Sequence, residues 1–298
     1  MEDGGRADRR SWLAFAGLII FGGANAVAVR QSVLELAPLW AAGFRFAIAA
    51  ALMTTIALAG RQPLPTLQGL RGGATYGLFG FGISFACINV GLRDVPGGTG
   101  SVIVATAPLL TLGLAIAQGQ ERFRVRALVG AIVAMTGVAI VFVDQLETAV
   151  PFGSLVLVLV GAASISQSSI VIRNMARNDP LWTNAIGMAV GAALLLLLSA
   201  ATREPWLLPA RETTWIAMGY LVVFGSVVAF SLNVYALRRL QASVVAYAVL
   251  LFPLVGLTVA TLLTGERFSL SFVAGGAVML LGVYIGAFRR SATMPTAS

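Results

Sequence analysis

Residues 38–59 read PLWAAGFRFAIAAALMTTIALA, an apolar run whose one charged residue is Arg45. An α-helix needs about 20 apolar residues to cross the hydrocarbon core of a bilayer, so this run is long enough to span it. Pro38 suits the first turn of a helix, where its missing N–H is not needed. The stretch therefore predicts a transmembrane helix.

Similar runs recur along the whole chain. Of its 298 residues 58% are hydrophobic and 11% are charged, and the mean hydropathy is +0.89. A soluble domain needs more charge than this on its surface, so the apolar excess must face lipid. We predict an all-α integral membrane protein with ten transmembrane helices, at residues 12–29, 38–59, 70–92, 97–118, 125–143, 152–172, 181–200, 213–237, 242–263 and 270–288.

The basic residues indicate topology rather than nucleic-acid binding. All twenty are arginines, the net charge is +8, and most lie in the short gaps between apolar runs. Fourteen lie on the side of the membrane that holds both chain termini, against five on the other side. Cytoplasmic loops are enriched in Arg. We therefore expect a bacterial-type inner (plasma) membrane protein with a cytoplasmic N-terminal segment, 1–11, and a cytoplasmic tail, 289–298.

Short landmarks repeat in order along the chain at an offset of 142–145 residues. They are Pro38-Leu39-Trp40 with Pro180-Leu181-Trp182, Leu92-Arg93 with Leu237-Arg238, Pro108 with Pro253, Glu121-Arg122-Phe123 with Glu266-Arg267-Phe268, and Gly130 and Gly137 with Gly275 and Gly282. This pattern predicts two five-helix repeats, 12–143 and 152–288. Since five is odd, the second repeat is inverted relative to the first, an arrangement typical of secondary transporters.

Several of these residues also resemble a known family. They are Gly22-Gly23 through Asn25 to Arg30, Arg45-Phe46, Ala107-Pro108-Leu109, Phe252-Pro253, Glu121 and Glu266. In this order and duplication they resemble the ten-helix EamA-type branch of the drug/metabolite transporter (DMT) superfamily, over residues 12–288. The resemblance implies export of amino acids and other metabolites, and its length and aromatic residues look most like the aromatic amino-acid exporter (YddG-type) branch.

Polar and aromatic residues inside the predicted spans are the candidates for binding a solute. They are Asn25, Tyr76, Ser84, Asn89, Ser164, Gln167, Ser168, Phe230, Asn233 and Tyr247. Ser164, Gln167 and Ser168 share one helical face by their spacing. Amides, hydroxyls and aromatic walls suit a neutral or zwitterionic solute. The alternative is that these groups hydrogen-bond between helices without contacting solute.

Arg45 lies about 10 Å into the second span, at 1.5 Å per residue. It either anchors the carboxylate of a solute or has a structural role, in which its long side chain extends to the membrane surface or caps neighbouring carbonyls. Pro108 and Pro253 each fall within a predicted span and predict kinks, which either act in gating or are static. Glu121 and Glu266 stand at helix ends, and we favour a capping role over proton coupling.

Gly282 and Gly286 form a G-x-x-x-G motif that is either a dimer face or internal packing. We therefore expect a monomer or a weak homodimer.

The chain lacks the residues on which most membrane enzymes and metal sites depend. It has no His, one Cys and no acidic residue inside a predicted span. We predict no catalytic residues, no metal and no cofactor, with a small-molecule solute and the lipid bilayer as partners. The predicted function is export of small metabolites, above all neutral or aromatic amino acids, by alternating access as a uniporter or exchanger. Multidrug or other-metabolite efflux is the alternative, and a membrane enzyme is less favoured.

Overall fold

The computed structural model describes residues 9–95, 97–143, 150–175, 179–264 and 270–288, which therefore exclude Glu266, Arg267, Phe268 and the tail from 289. Ten helical spans follow one another: α1 Arg9–Val33, α2 Pro38–Ala59, α3 Leu67–Gly91, α4 Thr99–Ala117, α5 Val125–Val141, α6 Phe152–Asn174, α7 Pro180–Ala201, α8 Glu212–Arg239, α9 Ala242–Thr264 and α10 Leu270–Val283. Within these ranges nine helices are long and apolar enough to cross a membrane, α5 is a shorter apolar helix, and no strand occurs. The predicted all-α membrane fold is confirmed.

The repeated Pro-Leu-Trp motifs start equivalent helices. Pro38 opens α2 and Pro180 opens α7, each in the first turn. The Asp179 side chain also caps α7 by accepting a hydrogen bond from the Leu181 amide at 2.8 Å. Both features are favourable N-terminal signals. Residues at the start of each helix therefore determine where α2 and α7 begin, and these residues are duplicated in the sequence.

The fourth span is interrupted just before Pro108, one of the two prolines for which the sequence predicts a kink. Its first helix ends at Val104, and a second one begins at Ala107 and has Pro108 in its first turn. Pro253, by contrast, lies inside the continuous helix α9. Proline lacks an N–H and crowds the preceding turn of a helix. The interruption before Pro108 places this proline in a first turn, where both effects are tolerated, whereas Pro253 stays in a helix interior.

Three π-helical segments, which the sequence patterns do not predict, occur among the described residues: Leu78–Ile83 in α3, Val223–Val228 in α8 and Tyr284–Phe288 directly after α10. The first two lie at an offset of 145 residues at both ends. This offset lies within the range found for the sequence landmarks. The duplication therefore extends to a local backbone irregularity of a kind that often marks functional sites.

The main helix–helix interfaces join the two halves of the chain. α2 packs against α7, and α5 against α10, so that equivalent helices meet in pairs. At the second interface a Cβ on Gly137 would meet the backbone of Gly275 and Met279, and one on Gly282 would meet Ala134. Small residues allow such close approach. Gly282 therefore faces α5, which is the internal-packing alternative for the G-x-x-x-G motif.

Because the spans alternate in direction, each end of the bundle collects a fixed set of helix termini. We call the end where α1 begins the amino-terminal end, and it also holds the starts of α3, α5, α7 and α9. The other is the opposite end, where α2, α4, α6, α8 and α10 begin. Contacts such as Arg238 to Thr183 at the first end and Arg93 to Glu204 at the second agree with this division.

Candidate functional site

Four phenylalanines from three helices form an aromatic layer inside the bundle. Phe46 of α2 lies 5.0 Å from Phe81 and 4.9 Å from Phe85 of α3, measured between ring centroids. Phe230 of α8 lies 4.7 Å from Phe81 and 6.3 Å from Phe46. These edge-to-face distances are typical of favourable aromatic pairs. The layer joins the two halves, and Phe85 and Phe230 occupy equivalent positions 145 residues apart.

A cavity of about 140 Å³ lies on the opposite-end side of this layer. It is lined by Val29, Ser32, Val33, Pro38, Ala41, Ala42, Arg45, Phe85, Ile88, Asn89, Leu92 and Leu221. The Arg45 guanidinium carbon lies 4.4 Å from the Phe46 ring centroid and 5.2 Å from that of Phe85. We call this space the Arg45 cavity.

Arg45 is 3% exposed, and its Nε has no hydrogen-bond partner. A snorkelling arginine keeps its charged head in water or among headgroups, and burial to this degree argues against that alternative. Among the described residues no carboxylate forms an ion pair with Arg45. The side chain is thus a buried cation at the wall of a cavity.

A polar cluster lies on the amino-terminal side of the layer. The Tyr76 hydroxyl donates to the Asn184 Oδ1 at 3.3 Å, and the Asn233 side chain also reaches that hydroxyl. The Tyr76 ring contacts Phe81 of the layer, with centroids 5.2 Å apart. Tyr76 and Asn233 were sequence candidates, whereas Asn184 was missed. The sequence feature that could have identified Asn184 is its side-chain amide, which lies inside the predicted span 181–200.

A second cavity, of about 550 Å³, opens at the amino-terminal end and is lined by Pro180, Tyr235, Arg238 and Arg239. The Arg239 guanidinium lies 5.3 Å from the Tyr235 ring centroid. Arg238 donates to the Thr183 hydroxyl at 3.0 Å. Thr183 is the chain neighbour of Asn184 in α7, and Tyr235 lies two residues after Asn233 in α8, so this cavity and the polar cluster lie at neighbouring levels of the bundle. We call the series of this cavity, the polar cluster, the aromatic layer and the Arg45 cavity the column.

Three further candidates satisfy their own helices. Ser84 donates to the Gly80 carbonyl and Ser168 to that of Ile165, each at 2.7 Å. Asn89 donates to the Phe85 carbonyl at 2.7 Å and also lines the Arg45 cavity. Their hydrogen bonds are local, as is common for such residues in helices.

Other candidates connect helices or pack away from the column. Asn25 donates to the Gly225 carbonyl at 3.2 Å, and Gln167 accepts from Gln118 at 2.8 Å. Tyr247 donates to the Ala127 carbonyl of α5 at 2.7 Å. Ser164 is buried. The structure therefore does not bring Tyr247 or Gln167 together with the Arg45 cavity.

A buried glutamate ties the two halves at each end. At the opposite end Glu204 accepts from the Trp40 amide at 2.9 Å and from Arg93 at 2.8 Å. At the amino-terminal end Glu121 accepts from the amide and hydroxyl of Ser243, with Arg173 3.9 Å away. The cavities and the aromatic layer thus lie between two charged inter-half contacts.

The family comparison matches both halves separately. The model of the EamA-like transporter family covers residues 10–143 and again 153–287. The chain belongs to the EamA-like transporter family. The predicted resemblance to EamA-type transporters is therefore confirmed, and the protein is a multi-pass membrane transporter.

Named relatives of this EamA-like transporter share about a quarter of its residues. The uncharacterized inner membrane transporter YedA of Escherichia coli (strain K12) is 26% identical, covering 91% of this chain and 89% of its own. A probable amino-acid metabolite efflux pump of Salmonella typhimurium is 25% identical, covering 91% and 92%. A solved crystal structure, 18% identical, superimposes with a TM-score of 0.79 over 92% of this chain and 95% of its own, which shows the shared fold.

Proposed function

We propose that this protein exports small metabolites, foremost neutral and aromatic amino acids, by alternating access between its two halves. The observation that carries the proposal is the aromatic layer, which is built from both halves and lies between two cavities. The Arg45 cavity has wall residues from both halves, and the cavity of about 550 Å³ at the other end is lined by residues of the second half. Secondary transporters place the solute site at such a repeat interface.

The paired π-helical segments support a rocking movement of one half against the other. Gly225 of the α8 segment is in tight contact with the carboxamide of Asn25 in α1. Gly80 of the α3 segment packs against Ser168 in α6, where an added Cβ would lie 3.1 Å from the Ser168 Cβ. Each segment thus contacts the other half of the chain. Alternating access requires two such equivalent contacts to adjust in turn.

The contacts of Glu204 and Glu121 close the bundle at its two ends. Opening the Arg45 cavity requires Glu204 to release Trp40 and Arg93, and opening the other end requires Glu121 to release Ser243. We propose that the amino-terminal end lies in the cytoplasm, because cytoplasmic loops are enriched in Arg and most of the arginines lie at this end. Export then moves the solute from the cavity of about 550 Å³ towards the Arg45 cavity.

The substrate class draws support from the relatives and from the chemistry of the column. One relative is named a probable amino-acid metabolite efflux pump. Amide and hydroxyl groups beside aromatic rings suit a zwitterion with an apolar side chain. The sequence has no acidic residue inside a predicted span, so we propose uniport or exchange without a buried carboxylate that carries protons.

Counterflow in proteoliposomes tests this function. Vesicles are preloaded with unlabelled aromatic, aliphatic or hydroxyl amino acids in separate sets, and uptake of a labelled tracer is followed beside protein-free vesicles. We expect saturable uptake that one set favours, with no change in internal pH strictly linked to it. Folded protein that exchanges no amino acid but accumulates lipophilic cations would support the multidrug alternative.

A further inference from the structure

We propose that Arg45 binds the carboxylate of the transported solute, so that the Arg45 cavity selects small carboxylates with an apolar body. This inference rests on the proposed transport function and names the chemistry that the opposite-end cavity recognises. It starts from a charge that the protein itself leaves uncompensated. In a membrane bundle such a residue marks a functional site more often than a structural one.

The surroundings of Arg45 stabilise its charge only in part. The faces of Phe46 and Phe85 lie 4.4 and 5.2 Å from the guanidinium carbon, and aromatic faces attract cations. They do not accept the hydrogen bonds that a guanidinium can donate. Its buried Nε has no acceptor, and leaving a buried charge without a partner is strongly unfavourable. An anionic acceptor would complete the site.

The position of the guanidinium makes such an acceptor reachable. Arg45 forms part of the wall of the cavity, so a solute held in the cavity lies beside its side chain. The planar guanidinium fork matches the two oxygens of a carboxylate. In a low-dielectric site the same charge repels cations, which disfavours lipophilic cations as substrates.

The rest of the cavity fits a small solute with an ammonium group and an aliphatic side chain. Asn89 uses an amide N–H to bond the Phe85 carbonyl, and its amide oxygen remains as an acceptor for an ammonium group. Most of the other wall residues are apolar. The volume of about 140 Å³ is well below that of pockets for drug-sized ligands, about 300–1,000 Å³. A larger aromatic side chain requires the aromatic layer to move.

Three matched probes separate the groups that are recognised. Leucine carries both charges, 4-methylpentanoate lacks the ammonium group, and leucinamide lacks the carboxylate. Binding is measured by calorimetry on the full-length protein in detergent. We expect leucine and 4-methylpentanoate to bind about ten- to a hundredfold more tightly than leucinamide, the effect of losing a hydrogen-bonded charge.

Substitutions then assign the difference to Arg45. In Arg45→Gln the affinity for leucine should fall by about the same ten- to hundredfold, whereas the affinity for leucinamide, which is a cation, should stay the same or rise because a repelling charge is removed. Arg45→Lys should recover part of the loss, because it keeps the charge and lacks the fork. Arg30→Gln removes the same charge from an exposed position at the same end, and it should bind all three probes like wild type.

The outcomes distinguish this inference from the proposed function. If Arg45→Gln does not fold, the wild-type comparison and Arg45→Lys still decide. Binding of 4-methylpentanoate but not leucine, dependent on Arg45, would uphold the inference and contradict amino-acid transport. Equal affinity for leucine and leucinamide, or no binding of either carboxylate at millimolar concentration, would overturn the inference, and amino-acid counterflow could still be observed.

Discussion

At the scale of single residues, the polar groups of this transporter divide into those that bond other helices and those that lie along the column. Asn25 belongs to the first group, because it bonds the Gly225 carbonyl. Tyr76 and Arg45 belong to the second, one on each side of the aromatic layer. Side chains of similar polarity therefore have different roles, and substitutions can distinguish the two groups.

Tyr76 tests the polar cluster. Tyr76→Phe removes the donor to Asn184, whose Nδ2 is already buried without a partner. We expect the free energy of unfolding to fall by about 1–3 kcal/mol, the usual effect of leaving a buried polar group unsatisfied. Thermal unfolding in detergent should show a lower Tm. The control is Tyr284→Phe, which removes a hydroxyl from a side chain that is 58% exposed; an equal fall in both variants would contradict the role of the cluster.

Glu35 gives a pH-dependent prediction in the loop before α2. The Thr214 hydroxyl and the Ala210 amide face its carboxylate and hold the pKa of Glu35 below its ordinary value. A lowered folded-state pKa means that this stabilisation is present above the ordinary carboxyl pKa and is lost as the pH falls through the lowered value.

The comparison is between wild type and Glu35→Gln in Tm across a pH series. We expect a constant difference above about pH 5 that shrinks towards zero in more acid solution. A difference that persisted unchanged at low pH would show that the charge of Glu35 is not its source.

At the scale of helical elements, the π-helical segments of α3 and α8 are the feature that repeats most closely. Both have a glycine at the third position, Gly80 and Gly225, and each glycine packs against a helix of the other half. The broken α4 and the continuous α9 show that other elements have diverged. We infer that close packing at Gly80 and Gly225 has kept the two π-helical segments alike. The backbone at Pro108 and Pro253 has been freer to diverge.

Gly225→Ala tests this contact within α8. Its Cβ would overlap the Asn25 carboxamide, whereas a Cβ on Gly219 of the same helix meets nothing within 4 Å. We expect Gly225→Ala to lower stability by about 1–3 kcal/mol through overpacking and to slow counterflow. Gly219→Ala should leave transport unchanged and be neutral or slightly stabilising, because alanine favours helix. Similar behaviour of both variants would mean that α1 and α8 are not tightly packed there.

At the scale of the whole molecule, alternating access predicts that the end contacts control which cavity is open. Glu204→Gln weakens the ion pair with Arg93, and so should favour opening of the Arg45 cavity. A Ser32→Cys probe in a Cys87→Ala background reports on this cavity, since Ser32 is part of its wall.

We expect maleimide labelling of the Ser32→Cys thiol to become about two- to fivefold faster with Glu204→Gln, the effect of losing about 1 kcal/mol of ion pairing. Glu212→Gln makes the same charge change at an exposed position of the same end and should have no effect. Equal labelling rates in the two variants would contradict a closing role for Glu204.

The sequence by itself determined the ten spans, their duplication and the family. Apolar runs of membrane length can satisfy their backbone only as helices in lipid, so length and composition suffice for that step. The repeated landmarks from Pro38 to Gly282 are short sequence patterns, so they can be recognised without knowledge of tertiary contacts.

Only the tertiary structure decided which face of each helix meets the column. A helix in lipid is apolar on its buried and its lipid-facing sides alike, so hydrophobic periodicity does not fix its rotation. For that reason Asn184 was missed, Tyr247 was grouped with residues that it does not join, and Arg45 was left between two roles. Burial against Phe46 and Phe85 is a property of three packed residues from two helices, and it appears only when α2 and α3 are placed side by side.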